Sequence, residues 1–159
     1  MAQRDNYTFE NHASLPAGLG STLASYFRSW DDPHSNNEYL NLFTPDSELV
    51  FGPTPVKGKD EIRALREAMV HPTNGPVVDL EHTFKKCFVL AGPTHEGPEV
   101  VINGTVWFKL KNGRRVDTDF ASWIVFKRQQ GEQLQAVFYK VYIDPAELQA
   151  AIQEMVAAE

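Results

Sequence analysis

The half of the chain after Pro76 limits the possible fold most, because it contains four long extended segments in succession. These segments are 77–91, 99–110, 114–128 and 133–143. They are rich in β-branched and aromatic residues, and short turns such as Asn112-Gly113 separate them. Asn-Gly is a strong signal for a tight hairpin, and strands joined by short turns pair as antiparallel neighbours. The pattern predicts a curved antiparallel meander of four strands.

Apolar residues at helical spacing predict helices before and after this meander. The predicted helices cover 16–30, 36–43, 57–69 and 144–156, and a short strand covers 47–52. In the first helix, Leu19, Leu23 and Phe27 recur every four residues and therefore share one face. The last helix begins with Asp144 as a cap and Pro145 at its first position. Helices followed by a run of strands indicate an α+β fold.

Composition and charge are those of one acidic globular domain. The 159 residues are 42% hydrophobic and 23% charged, and the net charge of −6 disfavours nucleic acid or an anionic membrane as partner. The sequence has no apolar run of membrane-spanning length and no charged-then-apolar leader. The lone Cys87 excludes an internal disulfide, so we expect a cytoplasmic protein. Residues 1–13 are polar and patternless, which predicts a flexible arm before one domain, 14–159.

His82 stands on the apolar face of the first meander strand. Alternate strand residues share a face, so His82 is predicted to lie with Leu80, Phe84 and Phe88, and Cys87 on the opposite face. A lone strand histidine can be a core residue bound to a backbone carbonyl. It can also be an acid/base group that projects into a cavity. The residues alone leave both interpretations open.

Four short motifs, taken in order, are typical of one known superfamily. They are Trp30-Asp31 at the end of the first helix, LNLFTPDSELVFG, GKDEIRALREAM, and a meander with EHTF and DFASWIVFK. Over 21–144 this order resembles the nuclear-transport-factor-2-like superfamily, in particular its SnoaL-like and scytalone-dehydratase-like branches. The resemblance implies a cone in which a curved antiparallel sheet wraps around the N-terminal helices and leaves a deep pocket. Members include ketosteroid isomerases, polyketide cyclases, dehydratases, epoxide hydrolases and non-enzymatic adaptors, so the fold does not decide the function.

The resemblance also implies roles for two residues. In the dehydratase-like branch a histidine in such a strand motif faces the pocket as an acid/base, and an acid after the first helix orients the polar groups. His82 and Asp31 match these positions, although Asp31 can also be explained as a turn or cap residue. The sequence departs from the branch in two ways. Trp30 replaces the tyrosine beside the acid, and the branch's second pocket histidine has no counterpart.

The two faces of the 114–128 segment differ in polarity. Phe120 and Ser122 share one face, and Asp117 and Asp119 share the other with Arg115. Because the His82 face is apolar, we expect the Phe120 face to line the pocket and the charged face to meet solvent. The predicted pocket walls are Tyr26, Trp30, Phe51, Phe84, Thr118, Phe120, Ser122 and Phe126. An alternative stays open: an Arg-x-Asp set that activates water, similar to limonene-epoxide-hydrolase-like members, with Asp144 as its third acid.

No metal or cofactor is predicted, and the outer face of the sheet suggests a partner. The five histidines are scattered, and neither paired cysteines nor a nucleotide-binding motif occurs. Successive strand residues point to opposite faces, so Trp107, Trp123 and Val125 are predicted to lie on the face of the sheet opposite the pocket. An open apolar face is an aggregation hazard, so we expect a second copy of the chain to cover it as a homodimer. The terminal helix is the alternative cover.

Two functions are consistent with the sequence. The first is a cofactor-independent enzyme that acts on a small hydrophobic, polyketide- or terpenoid-like molecule of secondary metabolism. Its chemistry would be isomerisation, cyclisation or dehydration, with His82 as acid/base. The second is a non-catalytic cone that binds a small ligand or another protein. Asp31 beside His82 in a cavity favours the enzyme, and a backbone carbonyl on the imidazole favours the binding module.

Overall fold

The computed structural model describes residues 6–90 and 96–159, which form three α-helices and one six-stranded sheet. The α-helices are α1 (Leu19–Trp30), α2 (Lys59–Met69) and α3 (Ala146–Ala157). The strands are β1 (Phe43–Val50), β2 (Val56–Lys57), β3 (Val77–Val89), β4 (Glu99–Leu110), β5 (Arg115–Arg128) and β6 (Leu134–Ile143). Short 3-10 helices span His12–Ser14, Glu38–Leu42 and Gln130–Glu132. No described helix is long and apolar enough to cross a membrane.

The strand order in the sheet is β2-β1-β6-β5-β4-β3. Strands β3 to β6 form the predicted antiparallel meander, and Gly113 provides the left-handed residue of the β4–β5 turn with φ 86°. Strand β1 pairs in parallel with β6, so the sheet is mixed rather than wholly antiparallel. The long connection from β1 through α2 and the meander permits this parallel return. These features agree with an open α+β cone.

The boundary between the second predicted helix and the first predicted strand lies earlier than expected. The 36–43 pattern forms the 3-10 helix Glu38–Leu42, and Phe43 already belongs to β1. The strand ends at Val50 instead of continuing to Gly52. Gly52 has φ 92°, a left-handed conformation that ends an extended strand. Phe51 therefore lies just beyond β1.

A β-bulge in β3 changes which side chains face inward. The pairing with β4 shifts between Phe84 and Lys86, so Lys85 is an extra residue. A Cβ at Gly104, opposite Phe84, would lie 2.0 Å from the Thr83 carbonyl oxygen, so only glycine allows this approach of the strands. After the bulge, Cys87 is buried on the His82 side and Phe88 is 51% exposed. The predicted faces of Cys87 and Phe88 were therefore wrong, because strict alternation does not survive an inserted residue.

The described N-terminal segment is anchored to the core by two aromatic side chains. Tyr7 and Phe9 are each only 2% exposed, and the Phe9 ring stacks on Phe84 at 4.3 Å between centroids. The backbone of this segment also forms hydrogen bonds with β3, the edge strand of the sheet. The N–H of Phe84 donates to the carbonyl oxygen of Asn6 at 2.9 Å, and the N–H of Glu10 donates to the carbonyl oxygen of Lys85 at 2.8 Å. The expected flexible arm is thus wrong for 6–13, because alternate aromatic residues anchor this polar stretch. Residues 1–5 lie outside the described residues.

We expect Phe9→Ala to lower the free energy of unfolding by about 3–5 kcal/mol, because it removes a fully buried ring from the core. Urea denaturation followed by circular dichroism measures this change. Val156→Ala on α3 is the control: Val156 is 59% exposed, and its truncation should cost less than about 0.5 kcal/mol. A Phe9→Ala variant as stable as the control would contradict the anchoring of this segment.

The outer face of the sheet carries a partly exposed apolar row. Phe88 pairs with Val101, and Val101 pairs with Trp123 on the next strand. The Trp123 ring contacts Phe138 edge-on at 4.9 Å. Phe88 is 51% exposed and Tyr142 47% exposed with α3 in place, so α3 leaves this surface open. The homodimer through this face stays a prediction.

If a second copy of the chain covers this row, Val101→Lys should dissociate the dimer into monomers, because the substitution places a charge in an apolar interface. Sedimentation velocity at micromolar concentration should show a dimer for the wild type and a monomer for the variant. Thr105→Lys is the matched control on the same strand and face, outside the apolar row, and should remain a dimer. A monomeric wild type would refute the prediction.

Candidate active site

A buried carboxylate and an imidazole meet at the C-terminal end of α1. Asp31 directly follows α1 and has no exposed surface. Its Oδ1 accepts a hydrogen bond from Nδ1 of His82 at 2.7 Å, and its Oδ2 accepts the backbone N–H of His82 at 2.7 Å. Both oxygens therefore bind the same residue of β3. This double contact fixes the imidazole against the end of α1.

Tyr7 supplies a third donor to the same carboxylate. Its hydroxyl donates to Asp31 Oδ2 at 2.7 Å. A buried carboxylate without partners would cost several kcal/mol, and these three hydrogen bonds stabilise Asp31 inside the core. The partners come from the N-terminal segment and from β3, which are far apart in sequence.

Arg66 of α2 fixes the turn that carries Asp31. Its Nη2 donates to the carbonyl oxygens of Trp30 and Asp32 at 2.8 Å each. These carbonyls lie at the end of α1, where helical carbonyls lack partners and the dipole attracts cations. Burial lowers the pKa of the Arg66 guanidinium, which is 4% exposed and lies over the Tyr39 ring. Arg66 thus holds the backbone on both sides of Asp31.

A narrow apolar cavity lies between α1 and the sheet, and the His82 ring forms part of its wall. The cavity proper is about 30 Å³, room for roughly two water molecules, within about 460 Å³ of atom-free space that includes its mouth. The His82 side chain is 12% exposed, and the rings of Phe27 and Phe120 contact it edge-on at 4.7 and 4.8 Å. The imidazole is therefore held by packing as well as by Asp31.

Six of the predicted site residues surround this cavity. They are Tyr26, Trp30, Phe51, His82, Phe120 and Ser122. The Phe120 face of β5 is the inner face, whereas Asp117 and Asp119 are exposed. Asp31 does not line the cavity but lies behind His82.

Three predicted wall residues lie elsewhere. Phe84 packs in an aromatic cluster with the N-terminal segment, which the sequence did not place there. Thr118 is partly exposed and does not reach the cavity, although it shares a face with Phe120. Phe126 is fully buried on the same face of β5 as Phe120, but it lies further along the strand and does not line the cavity. Strand parity alone does not show where a cavity ends.

Sequence reasoning missed three residues that shape the site. Tyr7 lay in a segment without any recognisable pattern, and Tyr139 was not among the predicted wall residues. Arg66 had a detectable signal: it follows Ile62 by one helical turn, so a charged residue shares the apolar face of α2. Ile62 and Arg66 are both buried.

Three hydroxyl groups add polarity to the cavity wall. Tyr26, Ser122 and Tyr139 line it together, and the Tyr26 and Tyr139 ring centroids are 5.6 Å apart. Burial raises the pKa of Tyr139, an effect that hydrogen bonding with Ser122 and Tyr26 partly opposes. Burial also raises the pKa of Tyr26 well above its ordinary value, and the neighbouring Tyr139 adds to the rise. Both phenols therefore stay neutral donors over the physiological pH range.

Alkaline pH should destabilise the protein through these tyrosines and Cys87. Burial raises the pKa of Cys87 to about 12 and that of both tyrosines above 10.0, so the folded state keeps protons that the unfolded state releases. Stability from these groups is fully present below pH 9 and is lost as the pH rises above 9 for the thiol and 10 for the phenols. Urea denaturation from pH 8 to 11 should show the decline. Above pH 10, Tyr139→Phe should decline less steeply, by roughly 1 kcal/mol per pH unit, and an equal slope would contradict the buried phenol.

The alternative water-activating set does not form at this cavity. Arg115 donates two hydrogen bonds to Asp117, at 2.9 and 2.6 Å, and both residues are exposed. Asp144 instead accepts the backbone N–H of Ala146 at 3.0 Å, at the start of α3. Within 6–90 and 96–159, no three His, Cys, Asp or Glu side chains lie together as a metal site.

Solved structures with this architecture share the fold at low sequence identity. Nuclear transport factor 2 from Cryptosporidium parvum is 12% identical with a TM-score of 0.61, over 78% of this chain and 90% of that one. A protein from Catenulispora acidiphila is 21% identical with a TM-score of 0.67, over 86% and 96% of the two chains. TerC, co-crystallised with polyporic acid, is 15% identical with a TM-score of 0.61, over 84% and 96%. No protein-family model and no curated protein sequence matches the chain.

These similarities confirm the fold that the sequence resemblance implied. Their identities are too low to carry a function, and some matched structures belong to NTF2-like proteins whose own function is unknown. The chain has the nuclear-transport-factor-2-like α+β cone fold, with the Asp31–His82 pair at its cavity.

Proposed function

We propose that the chain is a cofactor-independent enzyme that transfers protons on a small hydrophobic molecule held in the cavity. His82 is the acid/base group, and Asp31 is its partner. One observation carries the proposal: the imidazole bonds to a buried carboxylate through Nδ1 while its ring lines an apolar cavity. A purely structural histidine would more simply bond to a backbone carbonyl.

The hydrogen bond to Asp31 determines which ring nitrogen can react. A carboxylate only accepts, so Nδ1 carries the proton and the neutral ring has its lone pair on Nε2. Nε2 lies on the ring edge away from Asp31, and Asp31 is the only hydrogen-bond partner of the ring within the described residues. Nε2 can therefore take a proton from a ligand, and Asp31 stabilises the imidazolium that forms.

One such group is sufficient for several reactions without a redox change. In isomerisation, Nε2 removes a proton from carbon and returns it to another atom of the same molecule. In dehydration, the proton taken from carbon is given to the departing hydroxyl, which leaves as water. In cyclisation, the carbanion attacks a carbonyl carbon of the same molecule, and the oxygen receives the proton. Each cycle ends with His82 neutral again.

The cavity walls indicate the class of substrate. They are mostly aromatic and aliphatic, and the few polar side chains besides His82 include Tyr26, Ser122 and Tyr139. Such walls favour a largely apolar molecule with one or two oxygen atoms, as polyketide- or terpenoid-like compounds have. TerC, a protein of the same fold, was co-crystallised with polyporic acid, which supports a small organic molecule as the occupant.

A non-catalytic binding module is the second candidate, and the size of the cavity favours it. A cavity proper of about 30 Å³ admits a substrate only if wall side chains move. In this alternative, the Asp31–His82 contact serves only to satisfy a buried charge. The two candidates differ in whether a bound molecule exchanges its protons.

A ligand screen followed by an exchange assay separates them. Thermal shift against small aromatic and terpenoid ketones and phenols identifies binders, since a ligand at 100 times its Kd stabilises the fold by about 2.7 kcal/mol. Each binder is then incubated in D₂O with the protein, and proton NMR follows deuterium entry at carbons next to its carbonyl. Tight binding without exchange or turnover would favour the binding module.

For a binder that exchanges, His82→Gln should lower the rate by about 10²- to 10⁴-fold, because it removes the proton acceptor. The glutamine amide can still donate to Asp31, so circular dichroism should show an intact fold. His34→Gln is the matched control: His34 is exposed and outside the cavity, and the rate should not change. A folded His82→Gln variant with the wild-type rate would remove His82 from the mechanism.

A further inference from the structure

Two of the three donors to the Asp31 carboxylate hold it independently of the His82 ring. The terminal torsion of an aspartate is broad, so the carboxylate plane rotates easily unless two directions are fixed. Oδ2 accepts the His82 backbone N–H at 2.7 Å, which alone would leave the carboxylate able to rotate about that contact. The Tyr7 hydroxyl, also 2.7 Å from Oδ2, provides the second direction. With Oδ2 held twice, Oδ1 points to Nδ1 of His82.

Tyr7 is itself rigidly placed. Its ring is 2% exposed, meets Phe84 edge-on at 5.5 Å and lies 6.5 Å from Phe27. The Arg28 guanidinium lies over the ring, 5.8 Å from its centroid. The phenol therefore cannot swing away from the carboxylate without opening the aromatic cluster.

The backbone around Tyr7 is attached to the strand that carries His82. Asn6 and Glu10 bond to β3 at Phe84 and Lys85, as described above. Asn11 adds two side-chain bonds to Cys87: its Nδ2 donates to the carbonyl oxygen at 2.7 Å, and its Oδ1 accepts the N–H at 3.1 Å. The N-terminal segment therefore has a fixed position along β3.

We propose that Tyr7 is a positioning residue, which orients the Asp31 carboxylate and thereby keeps the proton of His82 on Nδ1 and Nε2 toward the cavity. Tyr7 does not line the cavity, so it acts through Asp31 and does not touch a ligand. Its effect on catalysis rests on the proposed function, but its effect on the imidazole does not. The N-terminal segment then belongs to the site as well as to the fold.

Tyr7→Phe tests this role because it removes only the hydroxyl and keeps the ring. In ¹⁵N-labelled protein, the Nδ1 proton of His82 should give a resolved resonance in the wild type, since its hydrogen bond is buried. In Tyr7→Phe this resonance should shift or broaden, because Oδ2 loses the hydroxyl donor that helps to orient the carboxylate. Tyr39→Phe is the matched control: it removes another buried tyrosine hydroxyl, 3.4 Å from Asn37, and should leave the resonance unchanged.

With a substrate, Tyr7→Phe should lower kcat by about 10- to 100-fold with little change in KM, as expected for a misplaced reacting group. An unchanged His82 resonance in folded Tyr7→Phe would overturn the proposal. An unchanged kcat would overturn its catalytic part, even if His82→Gln abolishes turnover. If no substrate exists, the resonance still decides the effect on the imidazole.

If Tyr7→Phe does not fold, NMR of the wild-type protein tests the proposal instead. The Tyr7 hydroxyl proton should be visible, protected from exchange with water, and close enough to the His82 amide proton for a nuclear Overhauser effect. Detection of this effect would support the proposal. A rapidly exchanging hydroxyl without the effect would overturn it.

Discussion

The burial of one carboxylate, Asp31, is the constraint on which the arrangement of the site depends. A charge without exposed surface is tolerated only when hydrogen bonds replace its hydration, and its donors come from Tyr7 and from the backbone and side chain of His82. Arg66 secures the surrounding turn from α2. The N-terminal segment, α1, α2 and β3 must therefore assemble together. The interactions that satisfy the charge also place the imidazole.

The rest of the molecule gives this polar cluster an apolar setting. The sheet and α1 leave a narrow cavity whose walls are mostly aromatic and aliphatic, and His82 stands between that cavity and Asp31. Low polarity strengthens every electrostatic contact inside it. Tyr26 and Tyr139 stay protonated there because burial raises the pKa of both phenols. A narrow apolar cavity with one imidazole in its wall is suited to discriminate between ligands by their shape and to contact them with a polar group at one position.

Much of the fold was predictable because its signals are local and periodic. The meander follows from long β-rich segments separated by turn residues, and β4 begins and ends at the predicted residues 99 and 110. The inward direction of Phe120 and Ser122 follows from strand alternation. The errors arose where the chain departs from periodicity, namely at the Lys85 bulge and at the aromatic anchors Tyr7 and Phe9. A bulge depends on the neighbouring strand, which a single segment does not reveal.

By itself, the sequence determined the order of elements, the face of β3 that carries His82 and, through its resemblance, the choice of Asp31 as partner. Only the tertiary structure decided that these two residues touch, that Tyr7 completes the contact and that the cavity ends before Phe84 and Phe126. The physical reason is distance along the chain. Asp31 is 51 residues from His82 and 24 from Tyr7, so their contact depends on how helices and strands pack. Periodicity describes which way a side chain points, and packing decides what it meets.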